Sequence, residues 1–235
     1  MKLYNKLFLS LSLGFIIFIP LATILHEIGH YFTAKWTGNG ALMGYDYTYW
    51  YPPARPSNDS FLYKQTAEEA FASVDFPYKN TIDPYEKKRQ QNDLLIGVAG
   101  PAQNILVGTL GFLLTLLYRR KMNSGAKITT WQWITIFSSM LWLRQIRALF
   151  VFLYDMIVNG KQTLIGDEEK IAYYLGLPIW SLTLITGLLG LIVFYWVSFK
   201  IIPPNRRLTF ILSLFLGCAI GYYNWFDLLG PSIMP

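Results

Sequence analysis

The chain has 235 residues, of which 53% are hydrophobic and only 14% are charged. This composition is too apolar and too lightly charged for an ordinary soluble domain, and it indicates an integral membrane protein. The net charge of +6 does not indicate a nucleic-acid partner, because the basic residues gather at the ends of apolar runs, as in membrane proteins. The single cysteine, Cys218, excludes a disulfide framework and a cysteine metal cluster.

The first predicted membrane helix begins near the amino terminus. Residues 7–25 carry no charge over 19 positions, which is long enough to cross a hydrocarbon core of about 30 Å. The same stretch resembles a secretory signal peptide, with a basic start and a small-residue cleavage position near Ala22. Since cleavage there would detach the anchor of the motif that follows, we interpret the stretch as a retained helix that continues toward Trp36.

The motif His26-Glu27-Ile28-Gly29-His30 lies toward the end of this helix and contains the only two histidines of the chain. Residues four apart share one face of a helix, so both imidazoles can bind one metal ion. Glu27 lies about 100° from that face, where it can reach water on the metal. The pattern predicts zinc bound by His26 and His30, with Glu27 as general base. The alternative is polar helix packing, but ionisable groups at membrane depth are costly and are functional by default.

The first helix is followed by an aromatic stretch and then by a polar stretch. Gly38-Asn39-Gly40 is predicted to end the helix, and residues 44–51 form an alternating aromatic stretch with strong β character. This stretch has two alternative roles. It is either an aromatic belt at the membrane interface or a strand or hairpin beside the metal, able to pair with an extended substrate. Residues 57–93 are polar, and we expect a loop or cap with a short helix around 66–73.

Residues 94–118 form the second predicted span, with no charge over 25 positions. Near its start lies Gly100-Pro101-Ala102-Gln103-Asn104. Pro101 removes a backbone hydrogen bond and is expected to bend the helix, whereas Gly100 and Ala102 allow another backbone to approach closely. Asn104 is costly in a membrane unless it forms a hydrogen bond, so its simplest role is to join helices.

A third apolar segment is interrupted by two arginines. Residues 131–143 and 148–154 are apolar, and Arg144 and Arg147 lie between them. Because arginines that face lipid are costly, we expect them to face the bundle interior, a water-filled cavity or an acidic partner such as Asp155. The alternative is that this segment lies partly in the membrane interface.

Two further predicted spans follow. A polar segment at 159–169 and a short helical stretch at 171–176 precede apolar runs at 179–199 and 208–226. The predicted fold class is therefore all-α, a multi-pass transmembrane bundle of about five helices with an aromatic β-prone segment and a polar loop after the first span. If all five runs cross, the short loops place nine basic residues on one side and two on the other, which predicts a cytoplasmic amino terminus.

Three separated motifs resemble those of site-2-protease-type intramembrane zinc metalloproteases, the M50 peptidase group. The first is His26-Glu27-Ile28-Gly29-His30, and the second, Gly100-Pro101-Ala102-Gln103-Asn104, is similar to that family's Gly-Pro-x-x-Asn. The third runs over 159–167 and keeps the spacing of that family's Asn-x-x-Pro-x-x-x-x-Asp-Gly. Gln162 stands in place of the proline and Glu168 in place of the glycine.

The resemblance implies a third zinc ligand, a substrate-binding residue and a division of the chain. Asp167 would complete the zinc site of His26 and His30, and Asn104 would help to hold the substrate near the metal. Three other acidic residues are alternatives for the third ligand: Asp155, Glu168 and Glu169. A metalloprotease core would occupy 1–178, including the loop at 38–93, and two additional helices would occupy 179–235.

The expected function is that of a zinc-dependent intramembrane endopeptidase that hydrolyses peptide bonds in or near transmembrane segments of membrane-protein substrates. The expected partners are such a segment and the lipid bilayer, with no nucleic acid, and the expected location is a bacterial cytoplasmic membrane. One alternative is a catalytically inactive relative that acts as a regulator or scaffold, which the departures at Gln162 and Glu168 favour and Glu27 opposes. Another is a transporter or channel, which five spans without inverted repeats fit poorly.

Overall fold

A computed structural model describes residues 3–52, 84–123, 128–160 and 166–234. The α-helices of this part of the chain are, in order, α1 (Asn5–Trp36), α2 (Pro84–Asn123), α3 (Thr130–Ser139), α4 (Leu143–Val158), α5 (Asp167–Tyr174), α6 (Trp180–Trp196), α7 (Arg207–Tyr223) and α8 (Gly230–Ile233). Short π-helical segments follow α6 (Val197–Ile201) and α7 (Asn224–Leu229). Two short strands follow α1: β1 (Gly40–Met43) and β2 (Thr48–Tyr51).

Five helical segments of the described chain are long and apolar enough to cross a membrane. They are Asn5–Trp36, Lys87–Arg119, Thr130–Val158, Trp180–Ile201 and Arg207–Ile233. Their outer surface carries large exposed apolar side chains such as Leu9, Leu106 and Phe215, as in helices that are apolar around their whole circumference. The predicted all-α fold with about five helices of membrane-spanning length is confirmed.

Helix α1 packs between α2 and α7. In its first half the fully buried Phe15 contacts two aromatic rings, Phe137 of α3 at 4.7 Å and Phe210 of α7 at 5.8 Å between centroids. A Cβ atom on Gly217 of α7 would lie 2.6 Å from Phe15 Cβ, so the absent side chain lets the two helices approach closely. The last long helix therefore packs directly on the helix that carries the histidine motif.

The third span is continuous, although its sequence is interrupted by arginines. A 3₁₀ turn at Met140–Trp142 joins α3 to α4 without breaking the helical path. Arg144 and Arg147 both line a cavity, as predicted, with Arg144 partly buried and Arg147 exposed. The acidic partner of Arg144 is Asp167, at 3.7 Å, whereas Asp155 accepts a hydrogen bond from Asn159.

The aromatic segment forms an antiparallel hairpin whose strand is shorter than predicted. Gly40 lies opposite Tyr51, and Met43 lies opposite Thr48. Residues 44–47, which the alternation assigns to the strand, form the turn, closed by a 2.8 Å hydrogen bond from the Gly44 amide to the Tyr47 carbonyl. The pattern failed here because aromatic alternation does not distinguish a strand from the turn that reverses it.

Three predicted features lie wholly or partly outside the described residues. They are the short helix at 66–73, the polar loop at 57–93 and the departure from the family motif at Gln162.

Candidate metal centre

The two histidines of α1 face one point inside the bundle. They lie about one helical turn apart, and 0% of His26 and 3% of His30 is exposed. Their Nε2 atoms are 3.0 Å apart, and their ring planes meet at 78°. Ligand atoms of His26, Glu27 and His30 all lie within 4.8 Å of one another. This buried group can therefore hold a metal ion.

Asp167 reaches the same point from the first residue of α5. Its Oδ2 atom lies 2.9 Å from His26 Nε2 and 3.6 Å from His30 Nε2. Burial by itself raises the pKa of Asp167, but hydrogen bonds with the two histidines, and their charges, hold that pKa well below its usual range. These contacts favour the ionised carboxylate of Asp167, which is the form that binds a cation.

The hydrogen-bonding roles at this point suit a cation. His30 Nδ1 donates to the carbonyl oxygen of Ile96 at 2.6 Å, so Nε2 of the neutral imidazole presents a lone pair. His26 Nε2 has one proton at most to share between His30 and Asp167. Tetrahedral zinc with ligands at about 2.0–2.2 Å needs donor atoms about 3.4 Å apart. The three donor separations here, 3.0, 2.9 and 3.6 Å, lie around that value.

Asn104 lies against the outer nitrogen of His26. Its side-chain nitrogen is 3.4 Å from His26 Nδ1, and its side-chain oxygen is buried with no hydrogen-bond partner among the described residues. Rotating the amide by about 180° would exchange the two atoms and bring the oxygen to Nδ1. A histidine that binds metal through Nε2 carries a proton on Nδ1 and needs such an acceptor. The unpaired oxygen of Asn104 thus fits a metal on the inner face of His26.

Glycine residues allow α2 to pass close to the histidines. A Cβ atom on Gly100 would overlap His30 Nε2 and would lie 2.7 Å from His26 Nε2. A Cβ atom on Gly29 of α1 would lie 2.7 Å from the carbonyl oxygen of Ala99. Gly100, which the sequence associates with helix packing, therefore also keeps space open at the imidazole nitrogens.

The hairpin holds Glu27 and covers His30. Thr48 Oγ1, at the start of β2, lies 3.0 Å from both Glu27 Oε2 and the Glu27 carbonyl oxygen and can donate to either. Trp50 stacks on the His30 ring, with centroids 6.0 Å apart. Its Nε1 atom donates to Asp93 of α2 at 2.9 Å. Because alternate residues of a strand share a face, Thr48 and Trp50 both point toward α1.

A polar cavity of about 410 Å³ adjoins His30 and has room for several water molecules. Glu27, His30 and Asp167 line one wall, and Arg144 lies beside them. Burial, followed by the charge of neighbouring Asp167, raises the pKa of Glu168 to about 7. Glu168 is therefore protonated to a larger extent near neutral pH than an exposed glutamate would be.

The predicted site residues come together in part. His26, His30 and Asp167 converge, and Glu27 lines the adjoining cavity. Asn104 is not among the described residues that line this cavity, and its role in substrate binding stays a prediction. The three alternative acids also line the cavity: Asp155, Glu168 and Glu169. Glu169 accepts a hydrogen bond from Thr183 at 2.7 Å, which turns one carboxylate oxygen toward α6.

Three contributors to this site were not identified from the sequence. They are Thr48, the carbonyl group of Ile96 and the pairing of Arg144 with Asp167. Each contact joins residues that are far apart along the chain, so it cannot be predicted from a local sequence pattern. The single threonine within the aromatic stretch is the one available hint.

No protein-family model, curated protein or solved structure matches this chain. The role of these residues is therefore inferred from their own geometry and chemistry.

Proposed function

We propose that this protein is a zinc-dependent endopeptidase that hydrolyses peptide bonds in or near the transmembrane segments of membrane-protein substrates. The observation that carries the proposal is the convergence of His26 Nε2, His30 Nε2 and Asp167 Oδ2 within 3.6 Å of one another. Glu27 lies beside these atoms and lines a polar cavity. A purely structural metal site has no need of that carboxylate or of room for water.

The donor set favours zinc among the common divalent ions. Two imidazole nitrogens and one carboxylate oxygen are the three protein ligands of many catalytic zinc sites, which keep a fourth position open. When bound, zinc supplies an activated water and polarises a substrate carbonyl. His26, His30 and Asp167 would hold the ion, and Asn104 and Ile96 would orient the two imidazoles from behind.

Glu27 is the general base of the proposed reaction. Thr48 can donate to Glu27 Oε2, which leaves the other carboxylate oxygen to accept a proton from the attacking water. The protonated carboxyl group then gives this proton to the amine of the departing peptide. The 3% exposure of Glu27 limits competition from bulk water for these proton transfers.

The substrate would bind in an extended form beside the hairpin. Peptide carbonyls within a helix are engaged in hydrogen bonds, so a transmembrane segment must unwind before it can be cut. Strand β2 pairs only with β1 in the described sheet, and its other edge has backbone groups that can pair with such a segment. The five apolar helices support a bilayer location, and the cavity would supply the water that hydrolysis requires.

Glu27→Gln is the principal test of the proposal. The purified, zinc-loaded protein is incubated with a single-span reporter protein, and cleavage products are identified by mass spectrometry. We expect the wild type to cut and Glu27→Gln to lose at least about 100-fold in rate while it retains zinc, because the amide cannot accept the proton. Equal cleavage by both proteins would show that Glu27 is not the base. Zinc binding without cleavage by the wild type would favour the regulator or scaffold.

The third ligand is tested separately by zinc content. Asp167→Ala should lose most of its zinc, because the carboxylate that contacts both imidazoles is removed. Asp155→Ala is the matched control, since Asp155 lines the same cavity. Unchanged zinc in Asp167→Ala together with loss in Asp155→Ala would assign the third ligand to Asp155.

A further inference from the structure

We propose that Arg144 is a catalytic residue whose guanidinium group stabilises the negative charge that develops on the carbonyl oxygen of the substrate. This role presupposes the proposed peptidase function. It adds a residue that neither the histidine motif nor the other two motifs contain.

Arg144 lies in the wall of the polar cavity, beside Glu27, His30 and Asp167. Its Nη2 atom is 3.7 Å from Asp167 Oδ2, and 24% of its side chain is exposed. A charged side chain within a membrane-length helix costs free energy unless it faces a polar cavity or a partner of opposite charge, and such residues are commonly functional. The position of Arg144 brings that charge to the wall where substrate and water would meet.

The guanidinium group keeps its hydrogen-bond donors available. A separation of 3.7 Å makes the contact with Asp167 an ion pair but is too long for a hydrogen bond. Within the described ranges, the guanidinium group of Arg144 donates no hydrogen bond to another residue, and its ion pair is with Asp167. A guanidinium has five N–H donors, so it can bind an anionic oxygen and still attract Asp167. An arginine that only anchored Asp167 would be expected to form the shorter, bidentate pair.

The distances allow one substrate oxygen to reach both positive groups. A metal ion at about 2.0–2.2 Å from Asp167 Oδ2 would lie no more than about 6 Å from Arg144 Nη2. An oxygen atom contacts both an ion at about 2.1 Å and an N–H donor at about 2.9 Å when these are up to about 5 Å apart. Separations of up to about 5 Å fall inside this upper limit of about 6 Å, so for such positions of the ion one oxygen can bind between the two positive groups.

Arg147 provides a matched control on the same helix. It lines the same cavity, but its Nη2 atom donates to the Tyr222 hydroxyl at 2.7 Å. Its guanidinium group also lies 5.0 Å from the ring centroid of Tyr222 and 5.9 Å from that of Phe226. The charge of Arg147 is thus engaged by aromatic groups near the end of α7.

The kinetic test compares Arg144→Gln, Arg144→Lys and Arg147→Gln in zinc-loaded, full-length protein with the single-span reporter. For Arg144→Gln we expect kcat to fall about 100-fold with little change in KM, since the lost interaction forms in the transition state. Arg144→Lys should recover only part of that loss, because lysine lacks the planar set of donors. Arg147→Gln should stay within about threefold of the wild type. Partial rescue of Arg144→Gly by added guanidinium chloride would support a direct role.

A binding test separates stabilisation of charge from positioning of Asp167. Zinc affinity is measured by competition with a chromophoric chelator, and affinity for a phosphinic pseudopeptide, a tetrahedral anion, is measured in the Glu27→Gln background. We expect Arg144→Gln to weaken phosphinate binding about 100-fold and to leave zinc affinity within about threefold. A parallel loss of zinc affinity would mean that Arg144 only positions Asp167, and unchanged phosphinate binding would equally overturn the proposal.

The experiments test the peptidase function and the role of Arg144 separately. If the wild type and Glu27→Gln cut the reporter equally, the peptidase assignment itself is wrong. If Glu27→Gln is inactive but Arg144→Gln cuts at the wild-type rate, only the role of Arg144 is wrong.

Discussion

Gly100 illustrates how much a single residue decides at the candidate metal centre. Its missing side chain leaves room for the Nε2 atoms of His26 and His30 against α2. Gly97, three residues earlier on the same helix, has a much more open environment, because a Cβ atom there would have Ile171 as its neighbour at 3.9 Å. The two glycines therefore differ in what a methyl group would displace.

Gly100→Ala is expected to reduce zinc content to less than about a tenth of the wild-type value, because the new methyl group would overlap the His30 nitrogen. Gly97→Ala should bind zinc fully, because its methyl group makes an ordinary van der Waals contact. Zinc is measured by atomic emission on the purified proteins. Equal zinc content in the two variants would contradict this account of Gly100.

Asn104 is the second single residue with a testable role. Asn104→Leu removes the acceptor for His26 Nδ1 and should weaken zinc binding by about 10-fold or more. Asn104→Asp keeps an acceptor oxygen and should bind zinc nearly as well as the wild type. Both dissociation constants are obtained by chelator competition. If Asn104→Leu lost cleavage but kept its zinc affinity, the residue would act on the substrate, as the family resemblance implies.

Contacts between whole elements hold the site in place. Helix α1 supplies three residues of the site, His26, Glu27 and His30. It packs against α2 on one side and α7 on another. The hairpin covers α1 through Thr48 and Trp50, and α5 delivers Asp167 at its first residue. Small residues at the helix contacts allow the helix axes to lie close together. A larger side chain at such a contact should therefore move the helices apart.

Gly217→Leu tests the packing of α7 on α1. The leucine would collide with Phe15 Cβ and the carbonyl oxygen of Ser12, each 2.6 Å from the ideal Cβ position. Overpacking of this kind costs about 1–3 kcal/mol, so we expect the thermal unfolding midpoint in detergent to fall by several degrees. Ala219→Leu introduces the same side chain at an exposed position of the same helix and should leave the thermal midpoint unchanged. A similar loss in both variants would assign the effect to α7 itself.

At the scale of the whole molecule, the candidate metal centre joins distant parts of the chain. His26 and Asp167 are separated by 141 positions, and their side chains meet at 2.9 Å. An ion that binds the folded bundle but not the unfolded chain stabilises the bundle by mass action. The same ion would therefore contribute to stability as well as to catalysis.

Removal of the metal is expected to destabilise the protein. Zinc at about 1,000 times its dissociation constant contributes about 4 kcal/mol, so a chelator should lower the thermal midpoint by several degrees and added zinc should restore it. Asp167→Ala should show neither response, because one of the three converging donors is absent. A midpoint that is the same with and without chelator in the wild type would argue against a metal that ties α1 to α5.

Local patterns in the sequence were sufficient for the helices and for the first half of the site. Long uncharged apolar runs predict membrane-length helices because a bilayer allows backbone groups no other partners. The spacing of His26 and His30 places both imidazoles on one face because the helical period is 3.6 residues. These inferences depend only on residues that are close together along the chain.

Only the tertiary structure decided which distant groups meet. The sequence offered four acidic residues as partners of the histidines, and in the folded chain it is Asp167 that contacts both. The contacts of Thr48 with Glu27 and of Arg144 with Asp167 likewise depend on how the hairpin and α4 pack. Such contacts follow from side-chain packing over the whole bundle, which no short-range periodicity specifies.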